Sequence, residues 1–128
     1  ILNARVTSME RVSGGSISTA AIVQTAHGRY FAKWNDHPID DQFEREADGL
    51  EALSKAKTSL RIPRPIAWKR GLIVMEYLEP GPAVSDFDER LGRGLAELHQ
   101  NSAKRYGFDC DNYCGVTPQP NPWSNYRT

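Results

Sequence analysis

Residues 29–35 read RYFAKWN, and residues 42–57 read QFEREADGLEALSKAK. The first stretch is rich in aromatic residues, which favours a β-strand whose side chains alternate between two faces. The second stretch carries apolar residues at helical spacing, with charged residues on the opposite face. The apolar positions are Phe43, Ala47, Leu50 and Leu53. A strand followed by an amphipathic helix is therefore the centre of the predicted fold.

Four further strands are predicted, two before this unit and two after it. Val6–Val12 and Thr19–Thr25 precede it, and residues 66–69 and 72–78 follow it. Short connections join the first three strands, and such connections favour antiparallel neighbours. The sequence therefore predicts an α+β fold with a five-stranded antiparallel sheet and one helix.

The second half of the chain begins with a predicted hinge. Residues 79–82 read EPGP, and proline and glycine both interrupt regular structure. A second amphipathic helix is predicted over residues 85–100, and only turns are predicted from Tyr106 onward. We therefore expect one lobe over residues 1–79, and a hinge with the start of a helical lobe over residues 80–128.

Composition excludes several classes of protein. The 16 Lys and Arg residues balance the 16 Asp and Glu residues, whereas general nucleic-acid binders carry a basic excess. No apolar run is long enough to span a bilayer, and no signal peptide is visible, so a cytoplasmic protein is predicted. The two cysteines, Cys110 and Cys114, are too few for a disulfide scaffold, and no cluster has metal-ligand spacing.

One lysine and one glutamate stand out as candidates for chemistry. Lys33 shares a strand face with Phe31, and Glu46 shares the apolar helix face with Phe43 and Leu50. A carboxylate on a buried face is costly without a partner, and Lys33 is the only lysine in the preceding strands. We expect an ion pair, which in phosphoryl-transfer enzymes positions the lysine on nucleotide phosphates. The alternative is that Glu46 is solvated at the edge of the apolar face.

Two other segments suit a nucleotide. Residues 13–18 read SGGSIS, and their backbone N–H groups and hydroxyls suit an anion, although an ordinary hairpin turn has the same composition. Residues 72–78 read LIVMEYL and run into the hinge, where free backbone groups can bind the edge of an adenine. A plain core strand is equally compatible with that second sequence.

The order of these parts resembles the N-lobe of protein-kinase-like folds, and its details resemble the fructosamine kinase (ketosamine-3-kinase) family. The resemblance rests on four segments: residues 14–18 (GGSIS), 30–35 (YFAKWN), 43–50 (FEREADGL) and 106–123 (YGFDCDNYCGVTPQPNPW). The last segment is long and specific to this family. The glycine and hinge motifs alone also fit aminoglycoside phosphotransferases and choline kinases.

The resemblance implies ATP- and Mg²⁺-dependent phosphorylation of a sugar hydroxyl on a ketosamine, such as a fructosamine or ribulosamine on a small molecule or glycated amine. This reaction is a step in protein deglycation. Lys33 would hold the α- and β-phosphates, Glu46 would orient Lys33, and the glycine loop would cover the phosphates. The other implied nucleotide-binding residues are Gly14, Gly15, Ser16, Ile17, Ser18, Met75, Glu76, Tyr77 and Leu78. Among them, Glu76 and Leu78 would meet the adenine through their backbones.

The resemblance also has implications for the substrate region and for the catalytic base and Mg²⁺ ligands. The substrate region would include Gln119, Asn121 and Trp123, near the junction of the lobes. The family's catalytic base and Mg²⁺ ligands come from a His-Gly-Asp loop and a later Asp, and no histidine here precedes Gly-Asp. No catalytic base and no metal ligand is therefore predicted within these residues, which are expected to be the N-terminal, nucleotide-binding part of the kinase. The alternatives are another aminoglycoside- or choline-type kinase and a non-catalytic kinase-like binding module.

Overall fold

Five strands form one antiparallel sheet in the computed structural model, which describes residues 3–13 and 17–125. The strands are β1 (Val6–Val12), β2 (Thr19–Thr25), β3 (Gly28–Trp34), β4 (Pro65–Lys69) and β5 (Leu72–Glu76). Their order in the sheet is β1-β2-β3-β5-β4, so every neighbouring pair except β3-β5 is also consecutive in sequence. The predicted five-stranded antiparallel sheet is confirmed.

Two helices accompany the sheet, α1 (Gln42–Ser54) and α2 (Phe87–His99). Both lie within the predicted ranges, but α1 ends three residues before the predicted end at Lys57. Lys55 and Ala56 donate their backbone N–H groups three residues back, at 3.2 and 3.1 Å, and this tighter turn ends the helix. Neither helix of the described residues is long and apolar enough to cross a membrane.

Strand β5 also ends earlier than predicted. Its last pairs are Tyr30 with Glu76 on one side and Pro65 with Met75 on the other. The Glu76 N–H still donates to the carbonyl of Arg64 at 2.8 Å, and the regular ladder ends at this residue. Tyr77 and Leu78, predicted as strand, therefore follow β5 without being part of it.

The two faces of the sheet carry separate apolar clusters. On one face, Phe43 and Ala47 of α1 pack with Ile73 and Met75 of β5. Phe31 and Leu50 complete that cluster as partly buried members. The opposite face carries a second cluster made of Tyr30, Val23, Ala32, Val74 and Leu72. Helix α1 therefore lies on the face that carries Phe31 and, two residues further along β3, Lys33.

The segment after α2 corrects one prediction. Instead of turns only, it forms a hairpin of β6 (Asn112–Cys114) and β7 (Thr117–Gln119). The prediction was wrong because three-residue strands leave almost no periodic pattern and because proline, here Pro118, is disfavoured in strands. Gly115 allows the tight connection, since its φ of +66° suits glycine. We call residues 112–119 the hairpin.

Residues on both sides of the predicted lobe boundary are hydrogen-bonded to one another. Thr58 donates its hydroxyl to the carbonyl of Gly94 at 2.8 Å, and the Lys57 N–H donates to Asn101 Oδ1 at 2.9 Å. The division into residues 1–79 and 80–128 stays a prediction.

Gly107 gives a stability prediction for the loop before the hairpin. Its φ is +119°, and a Cβ there would lie 2.6 Å from the carbonyl oxygen of Pro122. We expect Gly107→Ala to lower the free energy of unfolding by about 2–5 kcal/mol, the sum of about 1–2 for backbone strain and about 1–3 for overlap. Urea denaturation of the full-length protein measures this change.

Gly49→Ala is the matched control. Gly49 lies inside α1 with open space around its Cβ position, so alanine there is expected to stabilise the protein by up to about 1 kcal/mol. A Gly107→Ala protein as stable as the parent would contradict the close approach of the two backbone segments.

Candidate functional site

The predicted ion pair is present between β3 and α1. Lys33 Nζ donates to Glu46 Oε2 at 2.7 Å, and the two side chains are only 32% and 28% exposed. Lys33 Nζ also lies 5.6 Å from the ring centroid of Phe43, within cation–π range. The prediction of the pair is confirmed, and the alternative of a solvated, unpaired Glu46 is wrong. Partial burial fixes the lysine while leaving its ammonium accessible.

A cavity of about 310 Å³ opens beside this pair, between α1 and the hairpin. Its polar lining comes from Lys33, Gln42, Arg45, Glu46, Asn112 and Tyr113. Within the described residues, Gln42 Oε1 is a buried atom without a hydrogen-bond partner, and Arg45 Nε is a buried atom whose contact with Asp41 Oδ2 is an ion pair at 3.4 Å. The Lys33 ammonium at this cavity fits an anionic ligand such as a phosphate chain.

Arg45 lies among three carboxylates on α1 and its N-terminal flank. Its guanidinium contacts Asp41 at 3.4 Å, Glu44 at 2.9 Å and Asp48 at 2.7 Å. A hydrogen bond with Cys110 raises the pKa of Arg45 most, and Asp48 and Glu44 raise it further against the opposite effect of burial. Arg45 contacts three carboxylates whereas Lys33 contacts one, so Lys33 is the better candidate for binding an anion.

The predicted adenine-binding residues lie at the end of β5 and just beyond it. Met75 is buried in the core, and Glu76 donates its backbone N–H to the carbonyl of Arg64 at 2.8 Å. The Glu76 carboxylate pairs with Arg61, which lowers the pKa of Glu76. In the described part of the chain, the backbone N–H of Leu78 has no hydrogen-bond partner. This N–H group is therefore able to donate to a ligand, and the adenine-binding role of Leu78 stays a prediction.

The predicted glycine loop is only partly described. Gly14, Gly15 and Ser16 lie outside the described residues, so their predicted role is untested. Ile17 is exposed, and its Cδ1 lies where a Cβ on Gly115 would be only 2.8 Å away. The end of the loop therefore contacts the turn of the hairpin.

The predicted substrate residues are placed differently from one another. Asn121 is occupied within its own loop, because its Nδ2 donates to the Cys110 carbonyl at 3.2 Å and to Asn112 Oδ1 at 2.9 Å. Gln119 is exposed on β7, and Trp123 is 38% exposed, with the Arg105 guanidinium 5.5 Å from its ring centroid. Asn121 holds the loop together, and the substrate roles of all three residues stay predictions.

Sequence reasoning missed the residues that join the hairpin to α1. The Tyr113 hydroxyl donates to Asp41 Oδ1 at 2.6 Å, and this bond raises the pKa of Tyr113. Gln42 Nε2 donates to the carbonyl of Gly115 at 2.9 Å. Gln42 lies four residues before Glu46 on the buried helix face, which was a usable signal. Tyr113 lies in the family segment 106–123, but nothing in the sequence pairs it with Asp41.

Both cysteines are free thiols. Cys110 is partly buried, with its Sγ 3.8 Å from Asp48 Oδ2, and Cys114 is exposed. Across residues 3–13 and 17–125, no group of three or more histidine, cysteine or acidic side chains could hold a metal ion. Neither cysteine is therefore placed in a metal site by the described residues.

A strand lysine paired with a helix glutamate, under a five-stranded antiparallel sheet, defines the N-lobe arrangement of protein-kinase-like folds. The fructosamine kinase family model matches residues 2–127, and the chain belongs to that family. The resemblance found in the sequence is confirmed.

Curated relatives support the same family. A probable ketoamine kinase of Synechocystis sp. is 37% identical over 126 residues, covering 94% of this chain and 42% of the relative. The chloroplastic protein-ribulosamine 3-kinase of Arabidopsis thaliana is 38% identical over 128 residues, covering 94% and 39%. The chain thus spans about two fifths of the length of these relatives.

A solved structure agrees with the fold. The "putative fructosamine-3-kinase" of Thermobifida fusca superposes with a TM-score of 0.79 at 26% identity. The match covers 94% of this chain and 43% of that one. The fold is therefore shared with a solved structure over nearly the whole chain.

Proposed function

We propose that the full-length protein containing this chain is an ATP-dependent ketosamine kinase, of which these residues form the nucleotide-binding part. The single observation that carries the proposal is the Lys33–Glu46 pair at 2.7 Å beside an open cavity. The kinase names of the relatives support phosphoryl transfer, and the words ketoamine and ribulosamine in those names support the acceptor class.

Each part of the site has a distinct task in this proposal. ATP supplies the transferable phosphoryl group when bound, and Mg²⁺ offsets the charge of its phosphates. Lys33 binds α- and β-phosphate oxygens, and Glu46 holds the ammonium in place, so little reorganisation is needed during transfer. The backbone carbonyl of Glu76 and the N–H of Leu78 hold the adenine edge, and Met75 and Tyr77 flank these positions. The glycine loop covers the phosphates.

We place the catalytic base and the Mg²⁺ ligands outside these 128 residues, because no histidine in the sequence precedes Gly-Asp. The acceptor is a ketosamine on a small molecule or a glycated amine, bound near Gln119, Asn121 and Trp123. A cytoplasmic location, with neither a nucleic acid nor a membrane as partner, stays a prediction.

A panel of acceptors tests the proposal. Full-length protein with Mg²⁺-ATP is assayed on a fructosamine, a ribulosamine, an aminoglycoside and choline, with ADP release and product mass as readouts. We expect a ketosamine to gain one phosphoryl group. Turnover of an aminoglycoside or choline without any ketosamine turnover would favour the other small-molecule kinases. ATP binding without turnover of any acceptor would favour a non-catalytic module.

A further inference from the structure

The N-terminal end of α1 is fastened to the hairpin instead of being capped by its own side chain. Asp41 occupies the N-cap position, where an aspartate normally accepts a hydrogen bond from the first turn of the helix. It makes no such side-chain bond here. Its carboxylate instead accepts the Tyr113 hydroxyl at 2.6 Å. One carboxylate oxygen of this N-cap residue is thus used for a contact with the hairpin, 72 positions away in the chain, and the other lies 3.4 Å from Arg45 Nε.

A second bond fastens the next residue of the helix. Gln42 is only 8% exposed, and its Nε2 donates to the Gly115 carbonyl at 2.9 Å. The same turn of the hairpin contacts Ile17. The hairpin therefore contacts both the start of α1 and the end of the glycine loop, and two directional bonds hold it to α1.

The rest of α1 is held mainly by apolar packing. Phe43 and Ala47 contact Ile73 and Met75 of the sheet. Such contacts are not directional, so they tolerate a small shift or rotation of the helix. The Lys33–Glu46 hydrogen bond at 2.7 Å does not tolerate such a shift, because hydrogen bonds weaken steeply with distance and angle. Gln42 lies one helical turn before Glu46, so a shift of the first turn of α1 displaces the carboxylate.

We propose that Tyr113 and Gln42 are positioning residues for phosphoryl transfer, which brace α1 so that Glu46 reaches Lys33. Both residues line the cavity beside the Lys33–Glu46 pair, and in this proposal they act through that pair and not on the reacting atoms. The inference rests on the proposed function only in that this pair serves nucleotide binding. It adds that the hairpin, a segment beyond the hinge in sequence, sets the geometry of the phosphate-binding lysine.

A double-mutant cycle in the full-length protein tests this brace. Tyr113→Phe removes one hydroxyl and keeps the ring. We expect it to weaken Mg²⁺-ATP binding and to lower kcat/KM for ATP roughly 5- to 20-fold, within the usual range of coupling between sites. In a Glu46→Gln background the same substitution is expected to have almost no effect, because the pair on which Tyr113 acts is already lost. Gln42→Leu is expected to behave in the same way.

Tyr30→Phe is the matched control. Tyr30 packs on the opposite face of the sheet, and its hydroxyl has no hydrogen-bond partner in the described part of the chain. This variant is expected to match the parent in both the parent and the Glu46→Gln backgrounds. Equal fold-losses from Tyr113→Phe with and without Glu46 would overturn the brace and show only general destabilisation.

A Tyr113→Phe protein with parental ATP affinity and kcat/KM would also overturn the brace. Failure of the proposed function is a separate outcome, seen as a parent protein that binds Mg²⁺-ATP but phosphorylates no ketosamine. In that case the double-mutant cycle is evaluated from the dissociation constants for Mg²⁺-ATP, which do not depend on an acceptor.

Discussion

Lys33→Met is expected to lower kcat/KM for ATP about 10²- to 10³-fold in the full-length protein, the usual cost of removing one donor that stabilises charge in a transition state. Methionine keeps much of the side-chain volume but removes the ammonium that pairs with Glu46 at 2.7 Å. Glu46 remains 28% exposed, so water can solvate its carboxylate after the substitution. The free energy of unfolding is therefore expected to change little. Steady-state kinetics with a ketosamine acceptor, together with thermal denaturation, measure both quantities.

Lys69→Met provides the matched control for this result. Lys69 is an exposed lysine on β4, and it has no ion-pair partner among the described residues. The control protein is expected to retain the parental kcat/KM. A Lys33→Met protein as active as the parent would refute the assigned role of the lysine, even though the family membership would be unaffected.

Phe43→Ala is expected to cost about 3–5 kcal/mol of the free energy of unfolding, as for other large-to-small substitutions of a buried aromatic residue. Phe43 is 2% exposed and packs with Ile73 and Met75, so its loss opens a cavity between α1 and the sheet. It also removes the ring beneath the Lys33 ammonium. Urea denaturation monitored by circular dichroism gives the free energy of unfolding.

Met9→Ala serves as the control for the loss of a large apolar side chain. Met9 is 57% exposed on the edge strand β1, so its truncation is expected to change stability by less than about 1 kcal/mol. If Phe43→Ala were no more costly than Met9→Ala, the packing of α1 on the sheet would be wrong.

Local patterns in the sequence were sufficient for most of the sheet and for α1. Side-chain alternation in β2 and β3 and helical spacing from Phe43 onward are properties of neighbouring residues, so no tertiary information was needed. The Lys33–Glu46 pair was predictable for a related reason. Each residue lies on a face that its neighbours identify as buried, and two buried opposite charges require each other.

The hairpin and its contacts with α1 were beyond such reasoning. Its strands are three residues long and include Pro118, so no period identifies them. The bonds from Tyr113 to Asp41 and from Gln42 to Gly115 join residues 72 and 73 positions apart. Asp41 directly precedes α1, and only the folded chain brings its carboxylate to the Tyr113 hydroxyl.

The sequence by itself therefore determined the antiparallel sheet, the amphipathic helix, the Lys33–Glu46 pair and the family, because each depends on short-range periodicity or on motifs in a set order. Only the tertiary structure decided where β5 stops, how residues 106–124 fold, and what holds the first turn of α1 in place. These features depend on which groups meet across long loops. Directional hydrogen bonds between distant residues select one such arrangement, and these bonds cannot be predicted from local sequence patterns.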